Sequence, residues 1–183
     1  MQWKNTLQRY GIIAQLFHWL ILLLIITQFV LAFTFDDLPP GPEKGQIIGL
    51  HKSFGMLILM LAVPRLIWRW LNPVPELPGQ NRYLRWAAKS AHAALYALIF
   101  AIPLSGWLMS SLAGRSVSFF GWFHFPALAQ ADKPMAHTIV EVHEVLAFTL
   151  LVLALVHTLA ALLHHFLWKD DVLIRMLPWS SRG

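Results

Sequence analysis

Four stretches of this chain are almost wholly apolar, and each is long enough to cross a bilayer as a helix. Ile12 to Phe35 runs nearly unbroken until Asp36-Asp37-Leu38-Pro39-Pro40-Gly41-Pro42 ends it with acids and helix breakers. Further runs extend from about Ile47 to Trp70, Ala91 to Leu112 and Val140 to Trp168. A hydrocarbon core about 30 Å thick takes about 20 apolar residues of helix, so the pattern predicts four transmembrane spans. Pro64 and Pro103 fall inside spans, where neighbouring helices can satisfy the backbone groups they free. Lys4 and Arg9 precede the first run as in a signal peptide. That run is longer than a typical signal core, however, and no small-residue cleavage site follows it, which predicts a retained span. The expected fold is therefore all-α, a single integral-membrane four-helix bundle over residues 1–183 without repeats or a second domain.

Composition narrows this reading. The chain is 57% hydrophobic and only 13% charged, which excludes a large soluble catalytic domain. Its net charge of +5 comes from residues scattered between the apolar runs rather than from a patch or arm, so it reads as topology and not as a nucleic-acid surface. Ten basic residues lie in the N-terminal segment, the second connection and the C-terminal tail: Lys4, Arg9, Arg65, Arg69, Arg82, Arg85, Lys89, Lys169, Arg175 and Arg182. The first and third connections with their flanks hold Lys44, Lys52, Arg115 and Lys133. The positive-inside rule then predicts both termini in the cytoplasm. Trp3, Trp68, Trp70, Trp86, Trp168 and Trp179 fall at the inner boundary and Trp107 and Trp122 at the outer, as an aromatic belt would.

The chain has no cysteine, which excludes disulfides, thiolate iron–sulfur clusters, cysteine zinc sites and covalent haem attachment. Nine histidines in so apolar a chain are the unusual feature, because ionisable groups inside a membrane are costly. The predicted orientation gives each a depth. His143 and His157 lie on the fourth span, 14 residues and so about 21 Å apart along the axis, within roughly 40° of one direction. His51, at the start of span two, shares the outer level with His143. His18, early in span one, shares the inner level with His157. Two imidazoles at each of two levels is the layout of axial haem ligation in a helical bundle, whereas zinc favours four ligands in one tetrahedral cluster.

Other residues leave alternatives open. His92 competes with His18 as the partner of His157, or supports a ligand from outside the iron's coordination. His124 and His137 lie in the outer connection, where solvent is expected. His164, seven residues past His157, shares its face about 10 Å deeper and is a candidate for a quinone carbonyl, against a plain interfacial role. Arg65 and Arg69, one turn apart, either snorkel to headgroups or pair haem propionates. Lys52, beside His51, carries the same ambiguity on the outer side, as propionate partner or as a steering charge for an outer substrate.

An ordered set of short pieces resembles the bacterial cytochrome b561 family across residues 3–178. They are Arg9-Tyr10 with His18-Trp19, Leu50-His51-Lys52-Ser53-Phe54-Gly55, Arg65-Leu66-Ile67-Trp68-Arg69, Ala91-His92 and Pro103-Leu104-Ser105-Gly106. Val142-His143-Glu144 follows, then His157, and last Leu163-His164-His165-Phe166-Leu167-Trp168-Lys169-Asp170. The resemblance implies two b haems, one held by His18 and His157 and the other by His51 and His143, and it makes His92 a non-ligand. It implies residence in the bacterial inner membrane and electron exchange with the quinone pool, ubiquinone being the expected ligand or substrate, and superoxide oxidation occurs in some relatives. Gly114 to Phe123 resembles a subgroup feature of the family's outer loop, which leaves the outer donor open.

The leading expectation is thus a dihaem membrane oxidoreductase relaying electrons between quinone and a periplasmic redox partner or superoxide. A haem-bearing anchor of a larger redox complex and a divalent-metal transporter are the alternatives, the last weakened by the absence of an acidic path through the spans. The outer segments carry four basic against six acidic residues, net −2, and the inner ones net +7, so gross charge does not favour an anionic outer substrate.

Overall fold

The apolar runs form helices, and the helices are longer than the runs. In the computed structural model, described over residues 2–76 and 81–177, α1 spans Ile12–Asp37, α2 Pro42–Leu71, α3 Arg82–Leu112 and α4 Lys133–Phe166. Trp179 and Arg182, assigned above to the inner boundary, lie outside the described residues. All four helices are long and apolar enough to cross a membrane.

Polar helix starts account for the extra length. Asn81 accepts the Tyr83 amide at 2.9 Å and starts α3 nine residues before its apolar stretch, through the basic turns of Arg82, Arg85 and Lys89. Asp132 accepts the Met135 amide at 3.0 Å and starts α4 with Pro134 in its first turn. The 34 residues of α4 make about 51 Å of helix, so it overhangs a 30 Å hydrocarbon core at its ends.

The packing runs α1 on α2, α2 on α3 and α3 on α4, and the main contacts of α4 are with α3. The interior includes Ile21, Leu24, Met56, Ile58, Ala62, Leu98, Ile99 and Leu150, while Val145, Phe148, Val152, Leu155 and Leu159 are exposed. Apolar side chains cover the outside as well as the inside, the surface of a helix bundle solvated by lipid. The chain is a multi-pass membrane protein.

Loop segments close both ends. At the end bearing the termini, Gln15 is 2% exposed and its amide donates to the carbonyls of Tyr10 and Arg175, each at 3.1 Å. Trp19 donates to Met176 O at 2.8 Å and Arg175 to Glu76 O at 2.9 Å, lacing the tail to α1 and to the α2–α3 connection. Gly11 is required there, since a Cβ would meet Trp3 O at 2.3 Å.

At the opposite end the α3–α4 connection folds into an antiparallel hairpin, β1 Val117–Phe119 and β2 Phe123–Phe125, an addition to the all-α expectation. Phe120 (φ 50°) and Gly121 (φ 80°) turn the chain with two left-handed residues in succession. Ser53 of α2 pins the hairpin. Its hydroxyl donates to Ser118 O and accepts the Phe120 amide, both at 3.0 Å.

Candidate functional site

The buried and half-buried positions of α4 form one stripe that includes His143, Leu146, Ala147, Leu150, Ala154, His157, Ala161 and His164, while the rest of the helix is largely exposed. From this stripe two histidines reach other helices than α3, the main packing partner of α4: His143 meets His51 of α2 and His157 meets His18 of α1. The rings of His51 and His143 are 6.3 Å apart at the hairpin end, and those of His18 and His157 are 6.3 Å apart at the terminal end.

That spacing fits a specific geometry. Two imidazoles on opposite sides of one iron, with bonds of about 2.0 Å and roughly 1.1 Å from ring centre to nitrogen, have centres about 6.2 Å apart. His92 also faces His157, but at 5.4 Å, too close for one iron to sit in line between the rings. Among the described residues no group of three or more His, Cys, Asp or Glu could hold a metal ion by itself, so nothing resembles a zinc or transport cluster.

The hairpin-end pair has one rigidly seated member. The Ser105 hydroxyl donates to Ile102 O at 2.8 Å, which leaves its lone pairs toward His143 Nδ1 at 2.9 Å, and Ile102 O lies 3.1 Å from the same nitrogen. Both are acceptors for an Nδ1 proton, so Nε2 of His143 carries the free lone pair a metal needs. Gly106 lets α3 approach, since a Cβ there would meet His143 Cε1 at 3.2 Å. The sequence showed Pro103, Ser105 and Gly106 only as pieces of a family pattern; their role as a seat depends on which face of α3 meets α4. Across from it, Gln28 donates to His51 O at 3.0 Å and Phe35 packs edge-on against the His51 ring at 5.4 Å.

At the terminal-end pair, Arg65 Nη2 lies 3.3 Å from His18 Nδ1. Arg65 and Arg69 both lie over the Tyr96 ring, each 5.3 Å from its centroid. Both guanidinium groups are thus held against an aromatic ring of α3. The reason is sequence-local: Tyr96 follows His92 by one helical turn on α3 and offers its ring face to two cations. Tyr10 closes the group, near enough to the Arg69 guanidinium for its charge to act on the phenol. Burial pushes its phenol pKa up, against the pull of that guanidinium, and keeps the hydroxyl protonated.

The remaining candidates lie at the two ends. Lys52 is half-buried and near enough to Arg115 for their charges to interact. His124, in β2, and His137 are exposed, but His137 belongs to the early turns of α4 rather than to the connection, because the Asp132 cap starts the helix before it, and it sits 3.5 Å from Glu141. His164 is hydrogen-bonded through Nδ1 to Asp170 and stands edge-on to Trp168 at 4.4 Å.

Comparison with known proteins agrees with this architecture. A family profile described as prokaryotic cytochrome b561 matches residues 9–179. Cytochrome b561 homolog 2 of Escherichia coli K12 is 40% identical over 189 residues, covering 99% of this chain and 97% of its own. A Yersinia pestis protein named probable superoxide oxidase CybB is 32% identical over 167 residues, covering 91% of this chain and 93% of its own. Cytochrome b561 homolog 1 of E. coli is 28% identical over 163 residues, covering 88% and 92%. With a match that runs from before the first span to the tail, this chain belongs to the prokaryotic cytochrome b561 family of inner-membrane electron-transfer proteins, whose members carry b-type haem.

Proposed function

We propose that the protein holds two b haems, one between His18 and His157 and one between His51 and His143, and relays single electrons between the quinone pool and a periplasmic redox partner. The observation that carries this reading is the repetition of one spacing, 6.3 Å, at two levels of the bundle. Bound haem supplies one-electron exchange between ferric and ferrous iron. The charge asymmetry supports placing the termini, and with them His18 and His157, on the cytoplasmic side.

The chain's residues then have distinct tasks. Ser105 and Ile102 fix the tautomer and orientation of His143. Arg65 can only donate, so its contact with His18 Nδ1 suits the tautomer with the proton on Nε2. Were His18 to hold haem through Nε2, its proton would sit on Nδ1, and Arg65 would be available to pair a haem propionate, the acceptor its charge favours. Arg69 stands beside it for the same purpose. His164 lies past the inner pair toward the cytoplasmic boundary and hydrogen-bonds a quinone oxygen. Lipid surrounds the exposed apolar faces.

Superoxide as the periplasmic donor is a second reading, favoured by the name of the Yersinia relative and by the cationic pair Lys52 and Arg115 at the hairpin end. One stopped-flow experiment addresses both sides. Ubiquinol should reduce the purified protein's haem, and His164→Ala should lower that rate at least tenfold with both haems retained; an unchanged rate removes His164 from the quinone site. Slow reduction by a superoxide pulse at low and high salt leaves a different periplasmic partner, whereas fast reduction that salt suppresses assigns superoxide and points to Lys52.

A further inference from the structure

The chain leaving α4 doubles back on itself. Leu167 and Trp168 donate their amides to Leu163 O at 2.9 and 3.1 Å, Lys169 takes a left-handed conformation (φ 53°), and the Asp170 amide returns to His164 O at 3.1 Å. The reversal brings the Asp170 carboxylate onto His164. One oxygen meets Nδ1 of the ring, and the other accepts the Val172 amide at 3.1 Å. Asp170 thus holds His164 twice, its amide on the His164 carbonyl and its carboxylate on the imidazole, and the ring is braced edge-on by Trp168. Both side chains remain about one quarter exposed, so water reaches the pair.

An imidazole whose Nδ1 proton is accepted by a fixed carboxylate presents its Nε2 lone pair in a fixed direction. The helix end is capped separately by backbone amides on the Leu163 and His164 carbonyls.

We propose that Asp170 is the positioning residue of a proton relay, holding His164 so that Nε2 exchanges a proton with the quinone oxygen facing it. This rests on the quinone reading of His164 above. When a quinol is oxidised, its two O–H bonds break, and two electrons leave one at a time to ferric iron. The proton on the facing oxygen moves to His164 Nε2 and then to water at the membrane surface; the other is released to water directly. The imidazolium formed lies against the Asp170 carboxylate. Quinone reduction runs the same transfer in reverse, with electrons from ferrous iron.

The test uses holoprotein in lipid nanodiscs, with decylubiquinol as the proton-bearing reductant and reduced methyl viologen as a reductant that carries no transferable proton. Asp170→Asn retains an oxygen for the Val172 amide but places an NH2 opposite Nδ1, which forces the proton onto Nε2. It should keep both haems and the viologen rate, lower the quinol rate at least tenfold and raise its solvent deuterium isotope effect, while Asp170→Glu recovers part of the rate. A wild-type quinol rate in Asp170→Asn, with His164→Ala slow, overturns the role of Asp170 and leaves the quinone site standing. Equal slowing with both reductants makes Asp170 structural and overturns the proposal. A wild-type quinol rate in His164→Ala removes the quinone reading and the relay together.

Discussion

The four facing histidines are not equivalent, because their neighbours set different tautomers. His143 Nδ1 faces two acceptors, Ser105 and Ile102 O, and is seated for ligation through Nε2. His18 Nδ1 faces a donor, Arg65. That guanidinium is a positive charge beside the terminal-end pair, whether on His18 or on a propionate, and such a charge favours the more electron-rich, ferrous state of a nearby haem. Arg65→Gln is therefore expected to lower the midpoint potential of the inner haem and leave the outer one unchanged, measured by spectroelectrochemical titration; an upward shift or equal shifts in both would contradict the placement. The histidines themselves were legible in the sequence, since a costly group repeated at matched depths is a strong signal. Their partners were not. Ser105, Gly106, Tyr96 and Asp170 are ordinary residue types whose roles depend on which helix faces which.

Among the elements, hydropathy located all four spans but set the start of α3 nine residues late and that of α4 seven residues late. Helix does not stop where apolarity stops. The caps at Asn81 and Asp132, together with helix-forming Arg and Lys turns, carry it on into the interface. The hairpin leaves no strand signal in the sequence, because strands of three residues give little alternation and their stability comes from α2. Ser53, 2% exposed, makes that attachment. Ser53→Ala leaves the Phe120 amide and the Ser118 carbonyl without this partner, at a cost of about 1–3 kcal/mol for a buried unpaired group. The expected result is a lower thermal midpoint in detergent and faster proteolysis at Gly121-Trp122; protease resistance equal to wild type would show that the hairpin is held by its aromatic contacts instead.

For the molecule as a whole, the proposed function joins the two facing pairs, the charge asymmetry and the lipid-facing exterior into one arrangement, a conductor with a redox level near each surface. Each level draws one histidine from α4 and one from a different helix, α1 at the terminal end and α2 at the hairpin end. This division follows from chain direction: α1 leaves the terminal end with His18 in its second turn, whereas α2 leaves the hairpin end and carries His51 in its third. Removing a ligand should therefore empty one level and spare the other. Haem quantification with reduced-minus-oxidised spectra, made on the single variants His18→Ala, His157→Ala, His51→Ala and His143→Ala, tests this most directly. The account predicts two haems in the parent and one in each variant, with His18→Ala and His157→Ala sharing one residual spectrum and His51→Ala and His143→Ala sharing the other. A grouping of His18 with His143, or a second haem retained in His18→Ala and lost in His92→Ala, would contradict it.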